Sequence, residues 1–278
     1  MAEFAQFNQF IKERTFLKNV SPGTIIWYKQ SFNWLGNPNP TQADLTNFVI
    51  RMREAGLKPA SCNNRIRAVN AYLKWANLGL KLAKIKEPKC VFELYTVDDI
   101  KKIARFKPLS DDPQCWARIR AQVLALTLAD TGCRISELLT LQWERVDFEN
   151  LLITVRGKGD KERVIPFSHE LRRFLYRWRQ EVKHDLVFGT RLGMMLTPNN
   201  AYRALGAMLD HLKIKRPARM VHAFRHTFAT GYLRRGGSSL HLQRVLGHTS
   251  QAMTARYVSL QTADLQAVHQ KVSMLSGL

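Results

Sequence analysis

The chain has 278 residues, with 43 lysines and arginines against 22 acids, a net charge of +21 and a pI near 10.2. Its 45% hydrophobic content is enough for a core in each of two domains, and no run approaches the roughly 18 apolar residues of a membrane span. The opening MAEFAQFNQFIKER lacks an apolar signal segment, and Cys62, Cys90, Cys115 and Cys133 lie far apart without a CxxC pair, so secretion, a disulfide scaffold and a zinc site are not expected.

Phe4, Phe7 and Ile11 recur at three- and four-residue steps and predict a first helix. Ser21 followed by Pro22 predicts an N-cap and first turn. Ile25, Tyr28, Phe32 and Leu35 then mark a second helix, stopped by Gly36 and Asn37-Pro38-Asn39-Pro40. Thr41 with Asp44 has the form of a capping box ahead of Leu45, Phe48, Val49 and Met52, a third helix ended by Gly56. Ser61 is expected to start a fourth, with Ile66, Val69, Leu73 and Ala76 inward, ending near Gly79. Four short helices predict a small bundle over residues 1–81. Residues 82–95, which hold Pro88 and no helical period, are the expected linker.

The second domain is expected over 96–278, opened by the capping pair Thr96 and Asp99. A long apolar helix follows over 116–129, broken at Thr131-Gly132, and then a short one over 135–141. Residues 151–156 and 163–167 are β-branched and apolar around Gly159-Asp160, which predicts a hairpin. A third strand is expected at 186–188, and helices return from Thr197. Leu265, Val268, Val272 and Leu275 would line one face of a last helix. The fold class expected is mainly α with a small antiparallel β-sheet (α+β).

Both halves are basic: residues 1–90 carry 14 basic and 5 acidic side chains, and the remainder is basic too. A polyanion met by both domains is the simplest partner. Arg65, Arg67 and Lys74 lie off the apolar face of the fourth helix, where they could meet phosphates or only water. The densest chemistry lies in 221–257. His222 and Arg225 are three apart and would share a helix face, while His226 is expected to point elsewhere and to pack or cap. Leu246-Gly247-His248 ends one helical segment, and Thr249-Ser250 can cap the next, which carries Tyr257. Singly, each has a structural reading; a tyrosine here also suits a core.

Together these residues resemble the tyrosine recombinases, the phage-integrase family of site-specific recombinases. Thr131-Gly132-Cys133-Arg134 with Glu137 resembles the family's first arginine motif. Gly157-Lys158 to Lys161 resembles its β-hairpin lysine motif, His222-Ala-Phe-Arg225 its HxxR motif, and Leu246-Gly247-His248 and Tyr257 complete the order. Cys133 stands where leucine is common, and Val-Ser rather than a nearby histidine follows Tyr257. The resemblance implies a four-helix, SAM-like core-binding domain and a catalytic domain closing as a clamp on DNA.

It also implies a mechanism. Arg134 and Arg225 would hold the non-bridging phosphate oxygens, because guanidiniums donate in pairs and stay charged. Tyr257 would attack to form a 3′-phosphotyrosine, with His222 as base and Lys158 as acid for the departing 5′-oxygen. His248 would hydrogen-bond the phosphate, Glu137 would orient a neighbouring group, and Lys161 would touch backbone phosphates or face water. No cofactor, metal or ATP is implied. The partners implied are double-stranded recombination sites, bound by a homo-tetramer that is a monomer or weak oligomer when free, in the cytoplasm at the nucleoid and away from membranes. The last helix is expected to dock on a neighbouring copy. The alternatives are a type IB topoisomerase-like enzyme, whose pattern usually has lysine at the His222 position, and a basic DNA-binding protein without chemistry.

Overall fold

In the computed structural model, which describes residues 5–88, 93–108, 112, 114–157, 162–247 and 250–258, helices begin and end at capping residues. The chain divides into two units, Met1–Cys90 and Val91–Leu278, each with its own core.

The first unit holds α1 (Ala5–Phe16), α2 (Pro22–Leu35), α3 (Gln42–Glu54) and α4 (Pro59–Trp75). Ser21 accepts the Thr24 N–H at the start of α2, and Gly36 ends it with φ 75°. Thr41 and Asp44 form the reciprocal capping box of α3. The core is aromatic: Phe7, Phe10, Phe32 and Tyr72 meet face to face and edge to face, the arrangement that aromatic quadrupoles favour. The fourth helix starts at Pro59 rather than at Ser61. Proline suits a first turn because its missing N–H would have no partner there, and Lys58 takes the cap position. Within α4, Asn63 and Asn70 lie seven apart on one helix face. Asn70 exchanges hydrogen bonds of 2.8 and 2.9 Å with the backbone of Leu82. Asn63 does the same with Ile85, both at 2.8 Å. Residues 82–85, inside the expected linker, therefore run along the first core, where Leu82 is buried.

The second unit starts with α5 (Val97–Arg105), again capped by a Thr96–Asp99 box. Its axis is α6 (Cys115–Thr131), buried at every position from Arg120 to Leu128 because other helices surround it. Next come α7 (Ile135–Leu139) and the strands β1 (Val146–Asp147), β2 (Leu152–Arg156) and β3 (Glu162–Pro166), antiparallel in the order β1-β2-β3. The inward residues Ile153 and Ile165 are paired and fully buried. The third strand is thus Val146–Asp147 and not 186–188. Val187 and Phe188 are buried, but only Leu186 makes a bridge, to Gln142. The remaining described elements are α8 (His169–Glu181), α9 (Pro198–His211), α10 (Met220–Arg234), α11 (Ser239–Leu246) and α12 (Gln251–Val258). Helices α5, α8, α9 and α10 all pack on α6. The mainly helical fold with a small antiparallel sheet is the class expected. The turn with Lys158 and Lys161, residue His248 and the expected last helix lie outside the described residues. Among the described residues no helix is long and apolar enough to cross a membrane.

Candidate functional site

Two helix ends create the site. Helix α6 stops at Gly132, with φ 62°, and α11 stops at Gly247, also with φ 62°. The last carbonyls of a helix have no partner within it and carry the negative end of its dipole. Arg225, on α10, donates to both ends: Nη1 to the Gly132 carbonyl and Nη2 to the Leu246 carbonyl, each at 2.7 Å. Arg163, on β3, donates from Nε to the Val245 carbonyl at 2.9 Å. Two arginines thereby tie the ends of two helices together, and Arg225 is only 7% exposed.

Glu137 is the counter-charge. It is 4% exposed. Arg163 binds it bidentately, Nη1 to Oε1 at 2.7 Å and Nη2 to Oε2 at 2.8 Å. Arg134 donates its backbone N–H to Oε2 at 2.8 Å and Nη1 to Oε1 at 2.9 Å. Burial works to raise the Glu137 pKa, but the hydrogen bonds from Arg163 and Arg134 outweigh it and hold the carboxyl below its ordinary value. One carboxylate thus orients two guanidiniums. Arg163 was not singled out in the sequence; its β-strand position next to the lysine turn, with a charge on a partly inward face, was the available signal.

Arg134 keeps part of its guanidinium exposed, and it borders a cleft of about 550 Å³. Ser136, Thr140, Arg145 and Arg156 also line this cleft, which reaches Gly157, the residue before Lys158. Desolvation, and then the charge of Arg134, push Arg225 down to about 10. Arg134 and Arg225 are therefore cations that repel one another in a partly dry place, and an anion between them relieves both. Cys133, in the same turn, is buried, and burial pushes its thiol up to about 11, so it acts there as an apolar filler.

Tyr257 comes to this place from α12. It is 5% exposed, packed with Ala229 and Leu233 of α10 and with Leu242 and Leu246 of α11. Its hydroxyl lies 2.8 Å from Nδ1 of His226. The expectation that His226 points elsewhere is thus overturned. His222, Arg225 and His226 sit at i, i+3 and i+4, so the spacing puts His226 on the helix face of Arg225, and the packing of α12 on α10 gives it Tyr257 as partner. His226 is half-buried, and desolvation followed by the charges of His222, Arg225 and Arg219 lowers it to about 4. It is neutral near pH 7. His222 has an exposed ring, held below its ordinary pKa by partial desolvation and by Arg219, Arg225 and Arg134. In the first unit Arg67 and Lys74 are exposed, and Arg65 lies over the Trp34 ring at 5.8 Å, all off the buried face of α4.

Chemically, the described residues combine oriented guanidiniums short of counter-charge with a phenol beside a neutral imidazole. That set suits an anionic ester and a phenolic oxygen. A profile of the phage integrase family matches residues 96–264. The tyrosine recombinase XerA of Pyrococcus furiosus is 30% identical over 249 residues, covering 86% of this chain and 84% of the relative. The tyrosine recombinase XerD of Chlorobaculum tepidum is 27% identical over 283 residues, covering 94% and 92%. Among solved structures, the Tn1549 transposon integrase in complex with transposon right end DNA has a TM-score of 0.76 at 21% identity, covering 96% of this chain and 98% of that one. The chain belongs to the phage integrase family and is a tyrosine recombinase, a DNA strand transferase of site-specific recombination. The topoisomerase and non-catalytic alternatives are not favoured.

Proposed function

We propose that this recombinase cuts and rejoins DNA through Tyr257, with Arg134 and Arg225 on the non-bridging oxygens of one phosphate. The observation that carries the reading is that the Tyr257 hydroxyl is held on α10, at the residue next to Arg225. The scissile phosphate is a monoanion, and its transition state spreads more charge over those oxygens. Donors already fixed by Gly132, Leu246 and Glu137 need no reorganisation to meet it. Tyr257 Oη forms the bond to phosphorus, and the 5′-oxygen leaves. The phosphotyrosine keeps the bond energy for rejoining, without ATP. Lys158 protonates the leaving oxygen, His248 hydrogen-bonds the phosphate, and His222 borders it from the same helix face as Arg225. Arg65, Arg67, Lys74 and Lys161 meet backbone phosphates.

The DNA partner is a duplex recombination site, in keeping with the DNA complexes among the similar structures, and the enzyme works at the nucleoid. Four copies act on two synapsed sites. The residues after Gln261 dock on the next copy, and an apolar groove of about 950 Å³, lined by Tyr95, Ile100, Leu126, Phe174, Phe228 and Tyr232, is the receptor. A chain ended at Gln261 should still bind one site and fail to form the four-copy complex; four copies on paired sites would remove this part of the proposal.

The deciding experiment is trapping on a nicked half-site, read as a protein–DNA adduct on a denaturing gel. Wild type should form the adduct and Tyr257→Phe should not. An adduct with Tyr257→Phe, or none with wild type, overturns the reading.

A further inference from the structure

We infer that His226, rather than His222, is the proton acceptor for the tyrosine nucleophile. The inference rests on the reading of Tyr257 as that nucleophile. The geometry is direct: Nδ1 of His226 is 2.8 Å from the phenol oxygen, and the ring centroids are 5.5 Å apart. With the phenol donating, Nδ1 accepts and the imidazole proton sits on Nε2. No rearrangement is needed to bring a base to the hydroxyl; α12 delivers Tyr257 onto the α10 face that already carries Arg225. His222 lies a full turn earlier, in the first turn of α10, and is an exposed residue.

The step balances. As Tyr257 Oη bonds to phosphorus, its proton passes to His226 Nδ1 and the P–O5′ bond breaks. The 5′-oxygen takes a proton from the leaving-group acid. In rejoining, the 5′-hydroxyl attacks, Tyr257 Oη leaves, and the proton returns from Nδ1. The surroundings explain why the acceptor acts only on DNA. Arg219 at the cap of its helix, His222 and Arg225 on that helix and the Tyr257 phenol on α12 surround His226, and their cationic balance opposes a further positive charge. Without DNA the imidazole is a weak base and the phenol keeps its proton. A phosphate beside Arg225 supplies the negative charge that makes the imidazolium tolerable. The arrangement thus couples activation of the nucleophile to arrival of its substrate.

The test is single-turnover adduct formation on a suicide substrate, from pH 6 to 9, with His226→Asn and His226→Leu beside wild type. Asparagine keeps an oxygen acceptor without imidazole basicity; leucine keeps neither. At neutral pH both should cleave at least about a hundredfold more slowly, the lower end of what a positioned base contributes. DNA binding should be unchanged. Their rates should climb about tenfold per pH unit as hydroxide takes over the proton, while wild type stays nearly flat. A 5′-thio leaving group, which needs no proton, should leave them slow.

Cleavage by His226→Asn within about threefold of wild type would overturn the assignment, and so would a deficit independent of pH, restoration by the thio substrate, or loss of DNA binding by that variant. The two readings fail separately. If wild type forms no Tyr257-dependent adduct, the nucleophile is wrong; if it does and the His226 variants match it, only the acceptor is wrong.

Discussion

The guanidinium cluster and the phenol beside it are built in opposite ways. Arg225 and Arg163 are fixed by helix-end carbonyls and, for Arg163, by both oxygens of Glu137. Tyr257 rests on apolar side chains of α10 and α11, with its hydroxyl on His226. The half proposed to bind phosphate is part of the scaffold, its guanidiniums fixed by contacts within the protein. The half proposed to supply the nucleophile is attached to that scaffold by packing and one hydrogen bond, which would suit a residue that moves onto phosphorus and back. Preorganised charge and a lightly held attacking atom answer different demands of one reaction.

The largest effect should come from cutting the scaffold at the buried carboxylate of Glu137. Glu137→Ala leaves Arg163 without its counter-charge, and breaking a buried pair from one side typically costs about 3–5 kcal/mol. Denaturant unfolding near neutral pH checks it. Because the folded carboxyl is held below its ordinary value, its contribution is complete above the unfolded glutamate pKa of about 4.3 and is lost as pH falls through the folded value. The gap between wild type and variant should therefore close in acid. A gap that widened there would show that Glu137 is not the cluster's charged anchor.

Arg225→Lys comes next, and it separates chemistry from charge. Lysine keeps the cation but cannot donate to Gly132, Leu246 and a phosphate at once. Adduct formation should fall about 10²–10³-fold, the range for loss of a preorganised donor, with site binding nearly retained. Gly132→Ala is smaller and acts through the backbone. Its φ of 62° is left-handed, and an added Cβ would lie 2.5 Å from the Phe228 ring. A loss of about 2 kcal/mol is expected from left-handed strain of about 1–2 kcal/mol plus the clash, read as a lowered unfolding midpoint. An unchanged midpoint would mean that the helix end under Arg225 is soft.

The same contrast explains what the sequence disclosed. Local chemistry was legible. The Thr41–Asp44 and Thr96–Asp99 boxes and the glycine stops at Gly36 and Gly132 depend on neighbours three or four residues away, and each appears where expected. The family order of Arg134, His222, Arg225 and Tyr257 was legible too, because it is linear. Helix α8 is harder to read, because dense arginines between Leu171, Leu175 and Trp178 mask the helical period that follows the Ser168 cap. Strand β1 has two residues, too few for any period, and the apolar 186–188 run is buried without joining a ladder. Arg163 and His226 needed long-range placement. The partner of Arg163 lies 26 residues away and that of His226 lies 31 away, and only packing of α12 on α10 decides the second.

The smallest structural effect should belong to the residue proposed to have the largest chemical one. Tyr257→Phe keeps the ring that packs on Ala229, Leu233, Leu242 and Leu246 and removes only the hydroxyl. The loss includes the neutral hydrogen bond to a half-buried histidine, worth about 1 kcal/mol. Set beside Glu137→Ala in the same denaturant titration, it should shift the midpoint by a third or less, while the trapped adduct vanishes. If the two variants destabilised equally, the phenol would be as much scaffold as Glu137. Attack on phosphorus would then have to break a structural bond of that strength in every cycle, and the distinction between a fixed cluster and a releasable nucleophile would fall.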